Sequence, residues 1–167
     1  KRPEHLALDK TPDIPVLKHA LAHVEEKTGC VYENILMVHA TSPLTRAKDI
    51  DEAMKVFDKT KYDSMVSVVK TDIQPHKLKH IKESKLIQAI GQMPEKSTSR
   101  RQDYPQAYIR NGAFYLTTKW LMNDGRLWGD SVFPYLMTKE DSIDINDDLD
   151  LKIAQLIMEE RNKRNVH

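Results

Sequence analysis

Apolar residues recur along the chain with two alternating periods. Ile14, Leu17, Leu21 and Val24 fall at helical spacing and Gly29 supplies a stop, which predicts a helix over residues 13–28. Asn34–Val38 is a short apolar run that reads as a buried strand, followed by the loop His39-Ala40-Thr41-Ser42-Pro43. Ile50, Ala53, Met54 and Phe57 mark an amphipathic helix, with Asp49, Asp51 and Glu52 in its first turn, where the helix dipole favours anions. Residues 64–69 (SMVSVV) form a second buried strand. Helix, strand, helix, strand within the first seventy residues is the pattern of a sheet with helical crossovers.

The rhythm breaks over residues 71–104, which are polar and interrupted by Pro75, Gly91 and Pro94. Only 86–90 looks strand-like there. So long an irregular stretch is unusual inside a compact domain and reads as a functional segment or an arm toward a partner chain. Order returns at 107–117, rich in aromatic and β-forming residues. Asn123-Asp124-Gly125 is a turn, and Val132–Met137 is a strand in which Pro134 signals an edge or a bulge. A closing helix over 147–162 carries Leu149, Ile153, Leu156 and Ile157 on one stripe. There is no internal repeat.

At 167 residues the chain is one domain by length, long enough to bury ~70% of its unfolded surface without disulfides. Lys and Arg number 26 against 25 Asp and Glu, a net charge of +1, which argues against a protein built to coat nucleic acid or a membrane surface. Mean hydropathy is −0.60, and no apolar run approaches the ~18 residues of a membrane span. The lone Cys30 excludes a disulfide framework or a Cys-rich zinc site and suits a reducing cytoplasm. No secretory leader opens the chain; it starts on Lys1-Arg2-Pro3-Glu4, as if in mid-domain, so an N-terminal piece is expected to be missing.

Three clusters carry candidate chemistry. The densest is 141–150 (DSIDINDDLD), after a predicted strand and opening a helix. Its carboxylates are hard ligands suited to Mg²⁺, which takes one or two of them plus substrate phosphates. They equally suit a helix N-cap, and both roles can hold at once. An EF-hand is excluded: Asp144, Asn146 and Asp148 fit loop positions one, three and five, but Leu149 and Gln155 stand at six and twelve. The second cluster is Arg100-Arg101-Gln102-Asp103 with Arg110-Asn111-Gly112 and Tyr115. Guanidinium groups capture carboxylates or phosphates, and Asn111 and Tyr115, four apart, would share one strand face where they could read sugar hydroxyls. A solvated basic loop beside a core strand is the plain alternative. The third is His39, Thr41 and Ser42, placed at the carboxyl end of a strand, where open α/β sheets hold ligands; the same residues are ordinary turn formers. The pairs His19/His23 and His76/His80 lack a third metal ligand and read as surface imidazoles, and the Lys-rich stretch 77–85 reads as a solvated face.

Taken in order, these motifs resemble the acylneuraminate cytidylyltransferases, the CMP-sialic-acid synthetases. The resemblance runs from R-P-x-x-L-x-x-D (Arg2, Pro3, Leu6, Asp9) through T-S-P-L-x-R with D-I-D-E-A (41–46, 49–53). It continues in R-Q-x-x-P-Q-A-Y-x-x-N-G-A-x-Y (101–115) and S-I-D-I-x-x-x-L-D (142–150). It implies transfer of CMP from CTP to the anomeric hydroxyl of a nine-carbon sugar acid, with Mg²⁺ and release of pyrophosphate. It implies a three-layer α/β/α nucleotidyltransferase fold, Rossmann-like with a mostly parallel sheet. It also implies a cytoplasmic homodimer, without nucleic-acid or membrane partners, in which residues 71–110 are an inserted arm over the partner's site.

Residue by residue, the resemblance places Arg2, Thr11 and Asp13 near the nucleotide. His39, Thr41, Ser42, Arg101, Asn111 and Tyr115 fall on the sugar acid, Leu127 and Trp128 against its acyl group, and Lys77 enters from the partner subunit. Asp144 and Asn146 fall on the metal and are the expected catalytic pair. Four departures stand out. Asn146 replaces a second metal aspartate, His39 replaces a glutamine, Leu127 replaces an aromatic residue, and the first strand with its phosphate loop is absent. Two rivals are a cytidylyltransferase for 3-deoxy-manno-octulosonate, which the N-G-A-x-Y and S-I-D-I motifs disfavour, and a non-catalytic dimerising relative.

Overall fold

The computed structural model describes residues 1–89 and 104–164. Helix α1, Asp13–Thr28, ends at Gly29, whose N–H returns to the Glu25 carbonyl at 2.9 Å. Strand β1, Asn34–Val38, leads through the His39 loop into α2, Ala47–Phe57. At that helix's start the Arg46 backbone N–H donates to Asp49 Oδ2 at 3.3 Å, and the Asp49 N–H donates to the Arg46 carbonyl at 3.0 Å. Strand β2, Ser64–Thr71, is followed by a short 3-10 turn at Pro75–Lys77 and the hairpin β3, Lys79–Lys82, with β4, Lys85–Gln88. Strand β5, Ala107–Thr118, runs into α3, Lys119–Asn123. Strand β6, Val132–Met137, a 3-10 turn at Glu140–Ser142 and α4, Asp148–Arg164, complete the chain.

The main sheet has the order β1-β5-β2-β6. β5 pairs antiparallel with both β1 and β2, while β2 and β6 are parallel. The expected mostly parallel sheet is therefore a mixed one. β1, β2 and β6 do run in one direction, as helical crossovers require. β5 runs against them and lies between β1 and β2, so two of the three pairings are antiparallel. Pro134 lies on an outer strand, as its missing N–H demands.

The core forms where α2 lays Ala53 and Phe57 on Met65, Ala113, Phe114, Leu116 and Met137. Each large apolar side chain buried there contributes roughly 1.5–3 kcal/mol. α1 meets α3 but buries none of its residues among those described, so its predicted apolar stripe is only partly covered. The Lys-rich stretch read as a solvated face holds β3, paired through Ile81 with Leu86 across a turn at Glu83 and Ser84. β4 answers the strand predicted over 86–90; Ile90, Arg100 and Arg101 lie outside the described residues. Among the described residues no helix is long and apolar enough to cross a membrane.

Candidate active site

The site grows from a defect in β5. Tyr115 stands opposite Val66, yet Arg110 stands opposite Val68, so four residues of β5 face one residue of β2. Gly112 turns the strand there with φ +75°. A Cβ on Gly112 would sit 3.3 Å from Asp144 Cγ, so a larger residue would make the carboxylate give by a few tenths of an ångström.

That loop is tied down on both sides. The Ile145 N–H donates to the Thr41 carbonyl at 2.8 Å, which joins the S-I-D-I segment to the loop after β1. The buried Asn111 amide donates to Ser142 Oγ at 2.7 Å and lies 3.2 Å from Met137 Sδ. Below the loop, buried Asp141 accepts from Arg46 Nη2 at 2.8 Å, Arg161 Nη2 at 2.5 Å and Thr138 Oγ1 at 2.6 Å. Arg161 also donates to the Leu44 carbonyl at 3.0 Å, so one carboxylate anchors α4, the start of α2 and both loops. Asp141, Arg46 and Arg161 were not singled out as site residues; partners 95 and 20 positions away leave no local spacing to read.

The acidic run divides its two roles. Asp147 Oδ1 accepts from the backbone N–H groups of Leu149 and Asp150, each at 2.9 Å, and so caps α4. Asp144 stands outside that cap. Its Oδ2 accepts from Asn146 Nδ2 at 3.2 Å, while its Oδ1 is buried with no hydrogen-bond partner.

An aromatic wall stands beside it. His39 and Tyr115 meet edge to face at 5.2 Å, Tyr115 and Trp128 likewise at 5.5 Å, and the Arg110 guanidinium lies 4.6 Å from the Trp128 ring centroid. His39 also donates its backbone N–H to the Ala113 carbonyl at 3.2 Å, next to the Gly112 approach. Buried, unpartnered polar atoms gather here: His39 Nε2, Ser42 Oγ, Trp128 Nε1 and Asp144 Oδ1. Gln74 Oε1, His76 Nδ1 and the hydroxyls of Thr45, Thr117 and Thr118 are likewise buried without a partner, so such atoms are not confined to this place.

The structure thus brings together His39, Thr41, Ser42, Asn111, Tyr115, Trp128, Asp144 and Asn146. It does not put Asn111 and Tyr115 on a common face as a regular strand would; the bulge shifts the count, and Arg110 shares the parity of Tyr115. Leu127 is half-buried next to Trp128 in sequence, without a ring partner of its own. Arg2, Thr11 and Asp13 lie apart, before and at the start of α1; Arg2 lines a cavity of about 350 Å³ with His19 and His23. Lys77 is exposed at the end of the 3-10 turn after β2, beside the buried His76, whose ring stacks on Tyr104 at 4.1 Å.

No family model matches the chain. Individual proteins do. The chain is 27% identical over 173 residues to an N-acylneuraminate cytidylyltransferase of Escherichia coli O18:K1:H7, covering 99% of this chain and 38% of that one. It is 26% identical over 164 residues to a CMP-N,N'-diacetyllegionaminic acid synthase of Campylobacter jejuni, covering 97% of this chain and 68% of that one. It is 31% identical over 128 residues to N-acylneuraminate cytidylyltransferase A of Danio rerio, covering 72% and 28%. The chain therefore spans about two thirds of the legionaminic acid synthase and well under half of the other two. Along nearly its whole length the chain is thus similar to a protein named N-acylneuraminate cytidylyltransferase and to one named CMP-N,N'-diacetyllegionaminic acid synthase.

Proposed function

We propose that this chain carries the sugar-acid half of a nucleotidyltransferase that moves CMP from CTP to a nonulosonic acid. The observation that carries the reading is the Gly112 bulge. It sets a free carboxylate oxygen of Asp144 beside a wall of aromatic rings and unpartnered polar atoms. The reaction forms a bond from the anomeric oxygen to the α-phosphorus and breaks the bond from that phosphorus to the β-phosphate oxygen. Pyrophosphate leaves, and the hydroxyl proton passes to solvent.

A divalent cation fits the donor set. Asp144 Oδ1 is buried and unclaimed, and Asn146, which here donates its Nδ2 to Asp144 Oδ2 at 3.2 Å, would have to turn its amide oxygen toward the ion. Among the described residues no group of three or more acidic, His or Cys side chains could enclose an ion. A single carboxylate with an amide oxygen is the partial shell that Mg²⁺ accepts when substrate phosphates complete it. Held by Asp144 and Asn146, Mg²⁺ would neutralise charge developing on the α-phosphate and acidify the attacking hydroxyl. The chain's own residues do the rest by positioning. Tyr115, Thr41 and Ser42 orient the sugar hydroxyls, Asn111 holds the Ser142 loop behind them, and Arg101 holds the sugar carboxylate. Arg2, Thr11 and Asp13 serve the nucleotide.

The accompanying fold reading is a three-layer α/β/α domain, and the assembly reading is a homodimer built on an arm over 71–110. Support for the arm comes from the β3–β4 hairpin, which exposes Ile81, Leu86, Ile87 and Leu78 although a two-stranded hairpin alone is barely stable in water. Lys77, at the hairpin's foot, would enter the partner's site.

Pyrophosphate release tests the whole reading. Full-length protein, CTP, Mg²⁺ and a panel of nine-carbon and eight-carbon sugar acids should give release with a nine-carbon acid. Release with none would leave a non-catalytic relative, and release with 3-deoxy-manno-octulosonate alone would move the substrate class.

A further inference from the structure

We infer that Arg110 is a specificity-determining residue that reads the acylamino substituent of the sugar acid. The inference rests on the cytidylyltransferase reading above and adds a residue to the acyl contact that the resemblance gives to Trp128.

Arg110 is exposed, and apart from its stack on Trp128 it makes no hydrogen bond or ion pair with any described residue. The guanidinium carbon lies over the indole ring, 4.6 Å from its centroid, and a guanidinium carries five N–H donors around its edge. Its position is set by the β5 bulge, which gives it the strand parity of Tyr115 in place of Asn111. Trp128 is held in turn. The neighbouring Gly129 N–H donates to Ser64 Oγ at 3.2 Å, and Ser131 N–H donates to Asp63 Oδ2 at 3.2 Å. Any side chain on Gly129 would overlap the Asp63 carboxylate, so this loop approaches β2 only through glycine. The rings and the cation are therefore a prebuilt surface.

That surface has two kinds of contact side by side. Tyr115 and Trp128 offer apolar faces, and the Arg110 rim and the buried, unpartnered Trp128 Nε1 offer donors with no acceptors of their own. An acylamino group has the matching pair: a methyl that packs on rings and a carbonyl oxygen that accepts N–H bonds. A bare hydroxyl can accept an N–H bond but leaves the apolar faces unused. A carboxylate would use the cation and leave the rings idle.

Two sugar acids separate these cases: N-acetylneuraminic acid and its analogue with a hydroxyl in place of the acylamino group. Both carry the same carboxylate. In the full-length protein, Arg110→Ala should raise KM for the acylated acid about 10–100-fold, the loss of one charge-assisted hydrogen bond. It should leave kcat and the KM for CTP within about 2-fold, and the KM for the hydroxyl analogue within about 3-fold. Arg110→Lys, which keeps the charge without the planar guanidinium, should recover part of the loss. An equal rise for both acids overturns the inference, because Arg110 would then serve the shared carboxylate; so does no rise for either. Quenching of Trp128 fluorescence in a Trp120→Phe background gives a readout independent of turnover. If the acids bind but are not converted, the catalytic reading fails while the Arg110 comparison is still decided by affinity. If the wild type binds neither acid, the inference falls.

Discussion

Gly112 is the residue on which the site turns, for two separate reasons. Its φ of +75° is a region that side chains rarely adopt, and its missing Cβ leaves room for the Asp144 carboxylate. Gly112→Ala should cost about 1 kcal/mol in backbone conformation alone. It should also push Asp144 aside by a few tenths of an ångström, and displacements of that order lower turnover ~10-fold or more. A melting curve and kcat on the full-length enzyme test both; unchanged kcat would detach the bulge from the chemistry. Asp144→Ala should abolish turnover, whereas Asn146→Asp should retain or raise it by adding charge to the metal shell. Turnover within a few-fold after Asp144→Ala would refute the site. At this scale the sequence was informative about chemistry and silent about geometry. Of the two parts legible in the acidic run 141–150, the cap is taken by Asp147, and Asp144 keeps a buried oxygen without a hydrogen-bond partner. The common face of Asn111 and Tyr115 was not legible, because counting by twos assumes a regular strand; Gly112 was the sole hint of the bulge.

Elements with a clear period were legible. α1, β1, α2, β2, β5, β6 and α4 all lie where apolar spacing put them. β3 was hidden because K-H-I-K holds one apolar residue among charges, and α3, at five residues, is too short for a helical period to register. The direction of β5 was also hidden, since composition carries no information on which way a strand runs. Two ion clusters fasten these elements. Asp141 joins α4 to the start of α2 through Arg161 and Arg46, and takes a third bond from Thr138 in its own loop. Asp141→Ala should destabilise by about 2–4 kcal/mol, somewhat under the about 3–5 for a fully buried pair, because Arg46 stays 40% exposed. Asp141→Asn should lose less, and thermal unfolding checks both.

Glu25 links α1 to the foot of α3, accepting from Lys119 Nζ at 2.7 Å and from the Tyr32 N–H at 3.0 Å. The Lys119 hydrogen bond is the main cause that lowers its pKa from the usual 4.5. A depressed folded pKa means stability that is present above the ordinary value and fades as pH falls through the folded one. Glu25→Gln should therefore melt earlier than wild type near pH 6, with the gap closing toward pH 3. A constant gap across that range would show that charge is not the cause.

For the whole molecule, the decisive question is assembly. The intact protein should sediment as a dimer with an interface above ~1,000 Å², and deletion of 72–98 should return it to monomer. A micromolar monomer defeats the proposal. Mixing Lys77→Ala with Asp144→Ala subunits should restore activity in the hybrids, because one of the two sites then holds an intact Asp144 and receives an intact Lys77 from its neighbour. Absence of rescue would mean that Lys77 acts within its own chain or not at all.

The two outer strands of the main sheet leave it with unequal margins. β6 carries Pro134, which withholds a backbone donor, whereas β1 presents Asn34, Ile35, Leu36, Met37 and Val38 with neither proline nor a charged residue to blunt it. The sheet can be extended from only one side without losing a ladder bond. A strand fused by design, or a second molecule in concentrated solution, should join along β1. The simplest safeguard for handling the isolated chain is accordingly a lysine at the exposed Val38, with light scattering before and after as the measure.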